Sequence, residues 1–196
     1  MKKRTKTLLT CLAVPLGVGA VSGFLTQGSM DTFEKLNQPP LAPPGWVFPV
    51  VWTGLFAMMG TASYLIARLP ESEEKKKALT LYGIQLAVNF LWPVFFFNAG
   101  WYLFSFAWLL LLWYLVYLCT KAFYHLSEKA GYLMIPYLVW LTFAGYLNFA
   151  IFLLTDTKHC LKMAVLLYFT EKHLIFVQKQ CLTKNEESCN IDKDYG

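Results

Sequence analysis

Long stretches of this 196-residue sequence lack Asp, Glu, His and Lys altogether: 7–27, 46–67, 78–98, 101–120 and 131–154. That absence leaves conventional acid–base or nucleophilic catalysis without its usual candidates there, because the stretches hold no carboxylate, imidazole or ammonium group and no Ser-His-Asp set can be assembled. It also argues against ion-coupled transport through a carboxylate relay. No glycine-rich phosphate loop is found in these stretches. The chain is short of metal-binding patterns as well. Its five cysteines include no pair at metal-ligand spacing, and His125, His159 and His173 stand alone. No metal and no resident cofactor are therefore expected.

Charge is scarce overall. Only 15% of residues are charged, against 57% hydrophobic and 17% aromatic, whereas soluble chains carry about 25% charged residues. A helix needs roughly 20 apolar residues to cross a bilayer, and each of the five stretches is long enough. Five crossings use nearly all of residues 1–154, which leaves no room for a soluble domain before a polar tail at 155–196. The first run has a basic start and an apolar body, which also describes a signal peptide. Its apolar stretch is long for a signal core, which favours a span.

The basic residues set an orientation. Lys2, Lys3, Arg4 and Lys6, then Arg68 and Lys75–Lys77, then Lys121 and Lys129 all fall on one side of such a bundle. The opposite short loops carry only Lys35. The positive-inside rule places the N-terminus in the cytoplasm and the tail across the membrane. The net charge of +5 is thus a topology signal, and nucleic acid is not an expected partner. Cys11 and Cys119 lie within helices as packing residues. Cys160, Cys181 and Cys189 lie in the tail, where three thiols leave one over after any disulfide.

Four prolines fall within Pro39–Pro44, directly before an apolar run that opens with Trp46 and Trp52. Proline makes backbone stiff and extended, which suits either a lid over the open end of the bundle or a rigid spacer. Residues 68–77 read as a solvated loop, and the connection at Ala99–Gly100 is short enough to demand an antiparallel hairpin. Pro93 leaves the Asn89 carbonyl without its helical donor, so that part of the third helix should face protein or a cavity.

On the third helix Gln85, Asn89 and Trp92 fall within about 60° of one another, while Gly83 and Ala87 form a small-xxx-small pair on nearly the opposite face. Gln85 and Asn89 fit either a cavity wall or an interhelix hydrogen bond. Gly83 and Ala87 fit either a second subunit or close packing within the monomer. On the fifth helix Trp140, Ala144 and Leu147 share a face with Asn148 on its flank. A recess for a flat ligand and ordinary helix packing both produce that pattern. Trp46 and Trp92 fit interfacial anchors; Trp52 lies deeper.

The segments "PLGVGAVSG", "LNQPPLAPPGWVFPVVWTGLFAMMGTASYL", "YGIQLAVNFLWPVFFF" and "PYLVWLTFAGYLNF" resemble those of the TspO/MBR family, the translocator or tryptophan-rich sensory proteins also called peripheral benzodiazepine receptors. With the fourth helix, the likeness covers roughly residues 8–153. The resemblance implies an all-α bundle of five transmembrane helices, commonly a homodimer, with a ligand pocket between the helices beneath the first loop. It implies porphyrin or other tetrapyrrole ligands, with sterol or lipid as further guests. By motif position, it makes Trp46, Trp52, Asn89, Trp140, Ala144 and Leu147 pocket residues. Some bacterial members are similar to a light-dependent porphyrin-degrading activity, in which Trp52 and Trp140 would be the reacting residues. A third reading is a structural membrane protein whose pocket holds lipid or sterol. The chain departs from the family pattern in having Leu41 and Phe56 where a tryptophan and a tyrosine are frequent. Phe149 and Leu153 stand where a sterol-recognition pattern wants tyrosine and a basic residue.

Overall fold

A computed structural model describes residues 2–34, 39 and 41–155. They form five helices: α1 (Lys2–Glu34), α2 (Val47–Ala67), α3 (Glu73–Pro93), α4 (Tyr102–Leu126) and α5 (Glu128–Thr155). All five contain stretches long and apolar enough to cross a membrane, so the fold is an all-α five-helix bundle. Residues 1–153 make one compact unit. A second unit, Leu154–Gly196, includes the last two described residues of α5. The tail cysteines Cys160, Cys181 and Cys189 lie outside the described residues, as do Lys35–Gln38 and Pro40 of the proline-rich connection.

Inside a bilayer, helices gain little from hiding apolar surface from lipid, so close backbone approach and dispersion must hold them together. The α1–α2 contact is built this way. A Cβ on Gly60 would lie 2.7 Å from the Cys11 carbonyl oxygen and 3.0 Å from Leu12, so the two backbones meet where α2 has no side chain. Higher up, Gly19 of α1 leaves the space that the Phe56 ring occupies. α1 nonetheless buries the smallest share of its apolar stretch, 11% against 39% for α2. The central core comes from α2 to α5, where Met59, Ile66, Leu112, Val116, Met134 and Tyr137 are fully buried.

The α2–α3 connection is shorter than charge alone suggests. The cap of α3 is Ser72, whose hydroxyl oxygen accepts from the Lys75 backbone N–H at 3.1 Å, with Glu73 and Glu74 in the first turn where acidic groups suit the helix dipole. Residues 73–77 are therefore helical rather than loop. Lys75 is buried, and its ammonium donates to the Leu69 carbonyl and to Glu71 at 2.8 Å each. One acidic partner and a free carbonyl make that burial tolerable, a local arrangement that the charge run alone does not reveal.

At the other end of α3, Pro93 closes the regular helix and a π-helical turn, Val94–Asn98, follows. Widening by one residue is one way for a chain to accommodate a proline's missing donor. Gly100, at φ +65°, then reverses the chain into α4. The hairpin is tied at its tip by Asn98, which donates to the Leu25 carbonyl at 3.0 Å and accepts from Ser29 at 2.8 Å. Before α2, the Ala42 N–H donates to the Pro39 carbonyl at 3.1 Å, closing a tight turn. Leu41 sits in that turn at φ +71°, a left-handed conformation costing about 1 kcal/mol for a residue with a Cβ.

Candidate functional site

Trp52 of α2 and Trp140 of α5, both half-buried, meet edge to face with ring centroids 6.5 Å apart and planes at 88°. Trp52 also packs on Phe56 at 5.5 Å and on Tyr137 at 6.0 Å. Phe48 reaches Trp140 at 6.0 Å. Each such aromatic pair adds about 0.5–1.5 kcal/mol beyond simple burial. The Trp140 Nε1–H, at the edge of the indole, is buried without a hydrogen-bond partner.

Below this pair, Asn89 of α3 donates from Nδ2 to the Tyr137 hydroxyl of α5. Both residues are buried. Asn89 thus makes an interhelix hydrogen bond, and that bond forms a polar rung next to Trp52, because Trp52 meets the same tyrosine ring edge to face. Ala144 and Leu147 are buried on the α5 face that carries Trp140.

A second polar cluster lies further along α3 and α5. Asn148 accepts from Trp92 Nε1 at 3.3 Å and from Ser105 Oγ at 3.1 Å, and donates to the Tyr102 carbonyl at 2.8 Å, in the amide orientation that satisfies all three. Trp92 is 5% exposed and stacks on Phe96 at 5.3 Å. It is a core residue and not an interfacial anchor, because the π-helical turn brings Phe96 under its ring and Asn148 takes its N–H. Trp108 ties α4 to α3 by donating to the Val88 carbonyl at 2.9 Å.

Of the six residues that family likeness assigns to the pocket, Trp52 and Trp140 touch each other, and Asn89 joins them through Tyr137. Trp46 does not join them: it precedes the first turn of α2 and is 69% exposed. Tyr137 and Phe48 were missed by sequence reasoning. Tyr137 follows a proline in "IPYLVW" and lies three residues before Trp140, a helical spacing that could have flagged it.

The outer surfaces differ in kind. Gly83 and Ala87 are exposed on α3, and a Cβ on Gly83 would meet nothing within 4 Å. On the α4–α5 side a shallow groove of about 280 Å³ runs past Leu109, Trp113, Leu141, Thr142 and Gly145. Within it, Trp113 Nε1 donates to Thr142 Oγ1 at 3.0 Å, and Thr142 Oγ1 donates to the Leu138 carbonyl at 2.9 Å. Phe149 and Leu153 also face outward.

The TspO/MBR family model matches residues 11–154. The chain is 38% identical over 153 residues to the tryptophan-rich protein TspO of Chlorobaculum tepidum, covering 77% of this chain and 97% of that one. It is 38% identical over 141 residues to the tryptophan-rich sensory protein of Cereibacter sphaeroides, covering 72% and 86%. It is 38% identical over 145 residues to the translocator protein of Homo sapiens, covering 71% and 84%.

Proposed function

The chain belongs to the TspO/MBR family of membrane sensory and translocator proteins, and from that premise we propose that it binds a tetrapyrrole between its helices, against Trp52 and Trp140. The observation that carries this reading is the edge-to-face contact of those two indoles above the Asn89–Tyr137 rung. Perpendicular rings form a corner in which one flat guest can stack on one indole and meet the edge of the other. The membrane-spanning stretches contain no acidic residue to attract a cation, so recognition rests on stacking and on the unpartnered Trp140 N–H. Stacking of an aromatic ring on an aromatic side chain contributes about 1–3 kcal/mol per contact, so the two indoles supply part of the roughly 8 kcal/mol that micromolar affinity needs, and burial of the rest of the ring supplies the remainder. Ala144 and Leu147 supply the flat apolar wall beside Trp140.

Three finer assignments go with it. The protein sits in a cytoplasmic membrane with its N-terminus inside, following the distribution of Lys and Arg. It forms a homodimer through the exposed Gly83–Ala87 strip of α3, where small residues admit another backbone. Trp46, exposed where the proline-rich connection enters α2, stands at the mouth of the pocket and not within its wall.

Titration of the purified protein with protoporphyrin IX in the dark tests the reading. Saturable quenching of tryptophan fluorescence is expected, with affinity at least tenfold weaker in Trp140→Ala. Unchanged affinity in that variant would remove Trp140 from the site. The same titration under light distinguishes a catalytic pocket from a binding one. Loss of porphyrin absorbance with a new product, abolished in Trp52→Phe and Trp140→Phe, marks an enzyme; bleaching at the same rate in both variants leaves binding alone.

A further inference from the structure

The inward face of α3 carries a side chain that no protein group completes. Gln85 is fully buried at 0% exposure, and neither its Nε2 nor its Oε1 has a hydrogen-bond partner. Its neighbours on that face are otherwise engaged or equally bare. Asn89, one turn towards the pocket, is committed to Tyr137. Tyr82, a turn in the other direction, is buried; its hydroxyl makes no hydrogen bond of ordinary geometry. Ser63, across from it on α2, spends its proton on the Gly60 carbonyl at 2.9 Å.

An unpaired buried amide costs about 1–3 kcal/mol, and in a bilayer the hydrocarbon offers no compensation. Leucine would fill a similar volume at no such cost. A carboxamide at this position therefore implies a guest that completes it. The amide offers two N–H donors and a two-lone-pair acceptor in one plane. A carboxylate could only accept and an ammonium could only donate, leaving half of Gln85 bare. Either ion would also be buried with no opposite charge among the membrane-spanning residues around it. A neutral hydroxylic group does both jobs. An undissociated carboxylic acid does so through two parallel bonds, and a water molecule through one of each.

We propose that the Gln85 carboxamide is the receptor for a neutral hydroxylic group beneath the Trp52–Trp140 corner, either the carboxylic acid end of the guest bound there or a water molecule. The acid source rests on the tetrapyrrole reading above; the water source does not. One helical turn, about 6 Å, separates Gln85 from Asn89, within reach of a propionic-acid arm on a ring stacked above the rung. Such a guest would bind acid end down, and the site would select neutral acids over esters of the same ring.

The test compares protoporphyrin IX with its dimethyl ester on the full chain, wild type and Gln85→Leu, by tryptophan quenching. Cross-peaks between the Gln85 side-chain amide protons and water are recorded on the ligand-free wild type by NMR. For the acid source, the wild type favours the free acid by about tenfold, the loss of one good hydrogen bond, and the ratio falls towards one in Gln85→Leu. For the water source, the ratio is near one in both proteins and the amide shows water cross-peaks. An equal ratio in both proteins without water cross-peaks overturns the proposal. Should Gln85→Leu fail to fold, Gln85→Met serves in its place. If neither porphyrin quenches saturably, the tetrapyrrole reading fails, and the water cross-peaks alone decide the role of Gln85.

Discussion

The two faces of α3 differ as much as any two regions of the molecule. Inward, Tyr82, Gln85, Asn89 and Trp92 are buried, and two of the four, Asn89 and Trp92, hydrogen-bond to α5. Outward, Gly83, Ile84, Ala87 and Leu91 are exposed and offer no hydrogen-bonding side chain. One helix thus meets the bundle interior with specific, directional contacts and meets its surroundings with shape alone. In a bilayer the first kind of contact is costly to break, because a stranded polar group finds no water. The second kind is cheap to alter unless another backbone lies against it.

The largest effect should come from making the same change on an inside and an outside glycine. Gly60→Ala forces a methyl against the Cys11 carbonyl at 2.7 Å and should lower stability by about 1–3 kcal/mol. Gly83→Ala meets open space and should raise it by up to about 1 kcal/mol through helix propensity. Reversible unfolding in mixed micelles reads both, and equal signs would erase the contrast. Next comes Tyr137→Phe, which strands the Asn89 amide and should cost about 1–3 kcal/mol while leaving the Trp52 stacking surface in place. A neutral result there would mean that the rung does not bear on stability.

A smaller effect on folding, but a clear one on assembly, is expected from Gly83→Leu with Ala87→Leu. Monomer stability should stay within about 0.5 kcal/mol, while the dimer fraction measured by single-molecule photobleaching in vesicles should fall. An undiminished dimer moves the interface elsewhere. The smallest expected effect lies at the α3 entrance. The hydrogen bond and charge of Lys75 hold the Glu71 carboxyl below its ordinary range. Since that group's pKa is depressed on folding, its contribution is present above the unfolded value and is lost as pH falls through the folded one. Acidification should therefore lower the melting midpoint more in the wild type than in Glu71→Gln, and only slightly, because the carboxylate is exposed and solvent screens the pair. Identical acid profiles would remove the pair from the account.

Much of this was legible in the sequence, for physical reasons that can be named. Uninterrupted apolar runs fix the five helices, because spanning demands length and internal hydrogen bonding. The 100° helical step put Gln85, Asn89 and Trp92 on one face, and all three are buried together. Helical periodicity cannot see across helices. It could not tell that Asn89 would find Tyr137, that Trp92 would be held by Asn148, or that Lys75 would be buried with partners from the connection before α3. Nor could it distinguish Trp46, left exposed at a helix start, from Trp52 a turn and a half deeper. Those outcomes depend on which helices are neighbours and at what depth, and the close α1–α2 approach at Gly60 and the π-helical turn after Pro93 help set both.

The central claim is that guests meet the protein at Trp52 and Trp140, inside the bundle, and not at its lipid-facing aromatics. It is tested most directly by fluorine NMR of protein labelled with 5-fluorotryptophan, each resonance assigned by single Trp→Phe variants, during titration with protoporphyrin IX. The Trp52 and Trp140 signals should shift or broaden in proportion to occupancy, while those of the exposed Trp101 and Trp113 stay in place. Movement confined to Trp101 or Trp113, with Trp52 and Trp140 unaffected at saturation, would contradict the account.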